Sequence, residues 1–428
     1  MGLPYQRVWP NSLRRLLPMH SEPLPPLNDP ALANEARHFL RISGALFMAG
    51  FATFSLIYCV QPLLPEFAAE FKLSPASSSL ALSATTACLA VSILCVGALS
   101  ERLGRRGLMF CSICAAAVLN LLAANAHSWQ WLLAARALEG VALGGVPVVA
   151  TAYLAEETPP QRLGLAMGLY AGGAVFGGMI GRVAIGVLTA SAGWRNAMIS
   201  LALLDLLMAV GFVTLLPRSR HFVRRPEVGL GLRFHRDAWA GHLRHTHLPA
   251  LFMIGFLATG VFVTIYNYAG FRLMQAPWSL GHAQIGLIFL AYAFGIGSSS
   301  FGGILADRFG RATAVLGGAV VTLSGMALTL FSSLAIIVTG IAVITAGFFL
   351  MHAVASAWVE RLADAHKGHA ASLYLFSYYL GSSVLGSLGG WFWHEGGWGG
   401  VVYSGMALIV VIVVLTLYLR TEERETQT

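Results

Sequence analysis

The chain has 428 residues, 57% of them hydrophobic and only 11% charged, with a formal net charge of +8. Soluble proteins carry about 25% charged side chains, so this composition excludes a water-immersed globule and requires a largely lipid solvent. Lys72 and Lys367 are the only lysines and neither follows a glycine, so there is no G-x-x-x-x-G-K-[ST] phosphate loop and ATP bound on the chain is not the expected energy source.

Residues 1–41 read as a cytoplasmic basic tail, with Arg7, Arg14, Arg15, Arg37 and Arg41 beside Pro23, Pro25, Pro26 and Pro30. The apolar stretch that follows is too long for the core of a cleavable signal peptide. From there, apolar runs recur at roughly 42–63, 79–100, 107–126, 130–153, 163–188, 195–216, 248–271, 282–304, 312–332, 335–357, 368–393 and 399–419. Each approaches the roughly 20 helical residues that span a hydrocarbon core of about 30 Å. In lipid the backbone must close its own hydrogen bonds, so the runs predict twelve helices of an all-α polytopic membrane protein. The longest connection, 217–247, carries seven Arg and separates a six-helix bundle at 42–216 from a second at 248–419, leaving 420–428 as a C-terminal tail. Its arginines need no more than the positive-inside preference to explain them. Of the 27 Lys and Arg, all but Arg136, Arg182, Lys72, Arg195 and Arg272 fall in tails or inner loops when the N-terminus is cytoplasmic, which places both termini there. Cys59, Cys88, Cys95, Cys111 and Cys114, an odd set within apolar runs, read as buried thiols and not as a disulfide framework.

A motif repeats at matching points of the two bundles. Gly97-Ala-Leu-Ser-Glu101-Arg102-Leu-Gly104-Arg105-Arg106 follows the second predicted helix, and Gly303-Ile-Leu-Ala-Asp307-Arg308-Phe-Gly310-Arg311 follows the eighth. Gly104 permits a tight turn, and Gly97 permits close approach of another helix. The acid can face a helix N-terminus of the opposite bundle, and the arginines can pair with acids or C-terminal carbonyls, which makes a breakable cytoplasmic gate. Tyr58 and Tyr266 stand upstream at similar offsets, so two pseudo-symmetric halves are expected, with a substrate path between them near mid-membrane.

In these residues the sequence resembles the major facilitator superfamily, whose signature between helices 2 and 3 is G-x-L-a-D-R-x-G-R-[R/K]. The resemblance covers nearly all of the chain after the tail. It is nearest to the twelve-helix drug:proton antiporter group and, within it, to YnfM-type bacterial inner-membrane transporters. It implies the major facilitator fold and alternating access. Glu101 replaces the usual Asp, and Ala312 stands where the second copy would have another basic residue.

Arg136 opens Arg136-Ala-Leu-Glu139-Gly140, similar to the family's R-x-x-x-G element, which is associated with proton coupling. An Arg at the bilayer centre costs about 2.5–3.5 kcal/mol on insertion scales, so it needs a partner, and Glu139 lies one turn away. Gly164, Gly173, Gly177 and Gly181 match the spacing of the family's antiporter motif on helix 5, a helix-packing stripe, with Gly178 at its proline position and Arg182 at its last glycine. Helices 4 and 5 turn near residue 159 and place Arg136 and Arg182 at similar depth, so both are expected beside Glu139. The cluster then either couples a proton or binds an anionic group of the substrate; a permanent interhelical tie is the plainer reading. Asp205 in helix 6 and His352 in helix 10 join the proton-coupling or anion-site set, although a structural polar residue is the plainer reading of each. Tyr58, Gln61, Tyr266, Asn267, Tyr268, Tyr374 and Tyr378, with Tyr379 beside them, offer rings and hydrogen-bonding tips to an amphiphilic substrate.

The expected function is secondary active transport of a small organic molecule, as proton-coupled efflux. The alternatives are a symporter or facilitator for a sugar, nucleoside or organic anion and, more remotely, a membrane sensor that moves no solute. No catalytic motif or metal-ligand spacing appears, so neither enzyme activity, a metal nor a cofactor is expected. The expected partners are the substrate, protons and membrane lipid, without nucleic acid, for a monomer in the bacterial inner membrane.

Overall fold

The computed structural model describes residues 30–219, 232–363 and 366–425, with side chains at 34–96, 104–219, 233–363 and 366–420. The chain divides at Leu40/Arg41: the described part of the first unit, from Pro30, is helical, and Arg41–Thr428 is the second unit. The long helices are α1 Pro30–Tyr58, α2 Pro75–Leu103, α3 Arg105–Ala124 and α4 Trp129–Glu157. The run Pro160–Leu215 breaks at Gly193 into α5 (160–192) and α6 (194–215). Then come α7 Leu248–Leu273, α8 His282–Phe309, α9 Arg311–Leu328 and α10 Leu334–Leu362. Lys367–Glu425 breaks at Gly397 into α11 (367–396) and α12 (398–425). Gly193 and Gly397 turn the chain at φ of 79° and 55°, a region that glycine enters without steric cost. The ten long apolar segments thus make twelve crossings, and no strand occurs among the described residues.

The repeated motif folds twice in the same way. Gly104 (φ 86°, ψ 144°) and Gly310 (φ 86°, ψ 152°) each form a one-residue corner between two long helices. Inside each half, the first and fifth helices approach backbone to backbone. A methyl group at Gly173 or Gly177 would collide with the backbone of Phe47 or Phe51, and one at Gly181 would lie 2.9 Å from Ser55. Gly381 on α11 meets the backbone of Phe256 on α7 in the corresponding way. Gly164 does not join the stripe: it is exposed with nothing nearby, because α5 has only just begun there. Gly303 likewise faces open space, so this copy's first glycine serves no close helix approach; it is Gly302 that lies against Leu350 and Val354.

The two halves meet at the end of the bundle away from the signature corners. There Gln61 Nε2 donates to Asn267 Oδ1 at 2.8 Å, and the Ser383 hydroxyl donates to the Ser83 carbonyl at 2.9 Å. A methyl at Gly186 of α5 would lie 2.6 Å from Gly286 of α8.

Three boundaries differ from the sequence reading. α1 starts at Pro30, twelve residues before the expected helix start at 42, because Ala31–Phe39 is rich in helix formers and proline suits a first helical position. The expected linker holds the helix Leu232–Arg244, whose His235 meets His369 at 2.8 Å between ring nitrogens. α12 runs to Glu425, past the expected tail boundary. A window tuned to apolar runs misses such polar helices. Residues 1–29, 220–231 and 426–428 of the expected tails and linker lie outside the described residues, as do the side chains at Glu101 and Arg102 and the surroundings of Gly97.

Candidate functional site

The charged centre is built where two helices break. α1 stops at Tyr58, just before Pro62 and Pro65, and the last carbonyls of a helix have no helical donors. Arg136, fully buried on α4, supplies them: Nη1 donates to Leu56 O at 3.1 Å, Nη2 to Ile57 O at 2.7 Å and Nε to Ala81 O of α2 at 3.2 Å. Gly140 lets α4 come this close, since a side chain there would strike the backbone of Thr85; the Thr85 hydroxyl donates to Arg136 O at 3.0 Å. One turn on, α4 is interrupted between Leu143 and Pro147, whose ring removes a helical donor.

Arg136 Nη1 also donates to Glu139 Oε2 at 2.6 Å, with both side chains fully buried. Glu139 Oε1 is buried with no hydrogen-bond partner among the described residues. An unsatisfied buried polar atom costs about 1–3 kcal/mol, so this oxygen is poised to gain a proton or a water. Asp205 on α6 lies within electrostatic reach of Glu139. It is fully buried, has no ion-pair partner among the described residues, and accepts the Ser55 hydroxyl at 2.8 Å on both oxygens.

Arg182 is not part of that centre, which corrects the expectation that two arginines share Glu139. Equal residue counts from the turn near 159 fix depth but not facing direction, and Arg182 faces the seam between the halves. Its Nε donates to Gln61 Oε1 at 2.8 Å and its Nη1 to Gly178 O at 2.6 Å. Its Cζ stands 4.2 Å from the ring centroid of Tyr58, 4.6 Å from Tyr292 and 5.1 Å from Phe289, the last two on α8. It is 1% exposed and has no carboxylate within ion-pair distance among the described residues. Cation–π contacts are worth about 0.5–2 kcal/mol each, whereas a buried ion costs several. The rings and neutral acceptors are thus set against the cost of burying this charge, with no opposite charge paired to it among the described residues.

The second half contributes aromatic and neutral groups. Tyr266 bonds Thr345 at 2.7 Å, and His352 Nδ1 lies 3.0 Å from the Tyr374 hydroxyl, with the Tyr378 ring 4.8 Å away. Tyr378 stands against Tyr58 across the seam. Tyr268, expected beside Tyr266, points instead to α11, donating to Gly386 O at 3.3 Å and stacking on Trp393. Residues two apart on a helix do not share a face. The expected set thus separates into Arg136, Glu139 and Asp205 inside the first half, Arg182 with Tyr58, Gln61 and Asn267 at the seam, and His352 with Tyr374 and Tyr378 in the second half.

Among the gate residues, Arg105 pairs with Glu156 of α4 at 2.5 Å, within its own half. Asp307 and Arg308 are exposed and reach no partner in the other half among the described residues, and Arg308 lies over Phe309. A cleft of about 630 Å³ opens at the other end of the bundle, lined by Ser74, Ala76, Ser387, Trp391 and His394, and none of the expected site residues borders it. It is a surface feature separate from the buried charges. The sequence reading missed Ser55, Phe289 and Tyr292. Phe289 and Tyr292 share a face at i, i+3 spacing on a helix that also carries Phe294, Phe301 and Phe309, a signal too common to single them out.

A Major Facilitator Superfamily profile matches residues 46–281 and again 251–428. The inner membrane transport protein YnfM of Escherichia coli (strain K12) is 47% identical over 88% of this chain and 90% of its own length. The uncharacterized MFS-type transporter YybF of Bacillus subtilis (strain 168) is 44% identical over 89% of this chain and 93% of its own. In fold, the chain is similar to the inward-facing, unoccupied structure of a bacterial homolog of the human lysosomal transporter Spinster. The TM-score is 0.70 at 15% identity, over 90% of this chain and 95% of that one.

Proposed function

The chain belongs to the major facilitator superfamily and is a multi-pass transporter of the bacterial inner membrane; from that premise we propose that it exports a small organic molecule in exchange for protons. The observation that carries this reading is the buried Arg136–Glu139 pair with the buried Asp205 carboxylate near it, where Glu139 Oε1 has no hydrogen-bond partner and Asp205 no cation among the described residues. Glu139 and Asp205 are the acids that take up and release the proton, and Arg136 ties their charge state to the end of α1. A change of protonation there moves α1, which carries Tyr58 and Gln61 into the seam.

With both termini cytoplasmic, as the arginine distribution favours, the joined end of the seam faces outward. Asp307 and Arg308 are exposed, free to take part in closing the cytoplasmic gate. In the opposite arrangement Gly97, Glu101, Arg102, Gly104 and Arg105 close against the other half, and Gly303, Asp307, Arg308, Gly310 and Arg311 do the same from their side, as the halves 42–216 and 248–419 rock about the substrate.

Everted membrane vesicles acidified by respiration test the coupling. An exported compound added outside releases protons, which an acridine dye reports as recovered fluorescence. Wild-type protein should give recovery with its substrates, and Glu139→Gln of equal abundance should give none. Equal recovery from both would remove Glu139 from the coupling. A symporter or facilitator is the second reading, favoured by Gly178 and Arg182 where the antiporter motif has proline and glycine, and it predicts no proton release on adding substrate outside.

A further inference from the structure

We propose that Arg182 is the anchor for an anionic substrate, a small organic acid with an aromatic body, whose anion replaces Gln61 on the guanidinium and whose ring lies among Tyr58, Phe289 and Tyr292. Three features point to it. The cation is 1% exposed with no carboxylate partner among the described residues, while Arg136, the other arginine inside the membrane, has its own glutamate. A guanidinium presents a planar fork that suits a carboxylate, sulfonate or phosphonate better than the separate Gln61 amide and Gly178 carbonyl oxygens it now holds. The rings gathered around it from both halves make a wall for a flat apolar body.

The site is also wired to the closure of the seam. Gln61 accepts from Arg182 and donates to Asn267 of α7, so it bridges the halves. An anion that takes Arg182 from Gln61 breaks this relay at the joined end, and binding thereby favours separation of the halves there. A cationic amphiphile would meet a buried like charge at the same place, so the expected selectivity is opposite to that of a cation exporter.

The test reads binding, and so stands apart from the proton-coupled transport reading on which the substrate role rests. Purified full-length protein in detergent is melted with aromatic carboxylates (benzoate, cinnamate, naphthoate, indole acetate), each matched with its amide and its amine. At least one carboxylate should stabilise the protein and bind about tenfold more tightly than its amide, with the amine weakest. Arg182→Gln should erase the advantage of the acid and leave the amide unchanged. Gln61→Glu places a resident carboxylate on Arg182 and gives the same loss in a variant that keeps the cation satisfied, which serves if Arg182→Gln does not fold. An amine or amide ranking first, an acid preference that survives Gln61→Glu, or no stabilisation by any acid overturns the proposal. Stabilisation by chloride or sulfate equal to that by the acids overturns the aromatic part. Acid binding without proton release in vesicles would fail the coupling and leave the anchor standing.

Discussion

The two six-helix halves share a backbone plan and differ in chemistry. Both turn at a glycine with φ of 86°, and both press their first helix against their fifth through glycines, Gly173 and Gly177 in one and Gly381 in the other. Yet among the described residues the ionic side chains at most 1% exposed, Arg136, Glu139, Arg182 and Asp205, all lie in the first half. α10, the counterpart of α4, is an unbroken helix carrying Thr345, Phe348 and His352, with Phe348 stacked on Phe262 at 3.9 Å. A repeated scaffold therefore holds one half with buried ionisable groups and one half that offers rings and neutral hydrogen-bonding groups. Under the proposed coupling, a single protonation event in the first half would move one bundle against the other.

The comparison breaks most forcefully at Arg136. Arg136→Ala would strand Glu139 and three carbonyl groups in a buried site, with an expected loss of about 3–5 kcal/mol. Thr345→Val on α10 removes two neutral hydrogen bonds, with Tyr266 and Ile341 O, and should cost less, about 1–3 kcal/mol. Chemical or thermal unfolding in detergent checks both. Similar losses would mean that the first half is not the one organised around charge.

Substitutions in the shared scaffold should instead act alike. Gly177→Leu and Gly381→Leu overpack equivalent helix pairs, with about 1–3 kcal/mol lost in each or failure to accumulate in the membrane. Gly164→Ala, in open space, should stay within about 0.5 kcal/mol of wild type.

A finer distinction concerns pH. Asp205→Asn keeps an acceptor for Ser55 and removes the ionisable group, so the pH dependence of transport should flatten while the melting temperature changes little. The smallest stability effect is expected at the gate. Asp307→Arg lies on an exposed turn and should change stability by less than about 0.5 kcal/mol, yet reduce efflux. Full efflux at equal abundance would remove Asp307 from the gate.

Much of this was legible in the sequence, for physical reasons. Lipid forces apolar runs into helices, so the twelve crossings were readable, and the duplicated glycine corner was written in the motif. The Arg136–Glu139 pair followed from i, i+3 spacing on one helix. The separation of Arg182 from Glu139 did not, because the azimuth of a helix is set by neighbours such as Phe47 and Phe51 against Gly173 and Gly177, and that pairing is not encoded locally. Likewise, Ser55 as the partner of Asp205 and the ring of Tyr292 over Arg182 arise from contacts distant in sequence. The polar start of α1 and the helix at Leu232–Arg244 escaped because hydropathy does not report helices outside lipid.

The most direct measurement is the pH dependence of transport in vesicles bearing Glu139→Gln, with His352→Gln from the other half as the matched control at equal abundance. Loss of the pH-dependent component in Glu139→Gln and its retention in His352→Gln is the predicted result. An unchanged profile in Glu139→Gln, or its loss only in His352→Gln, would contradict the assignment of proton coupling to the first half.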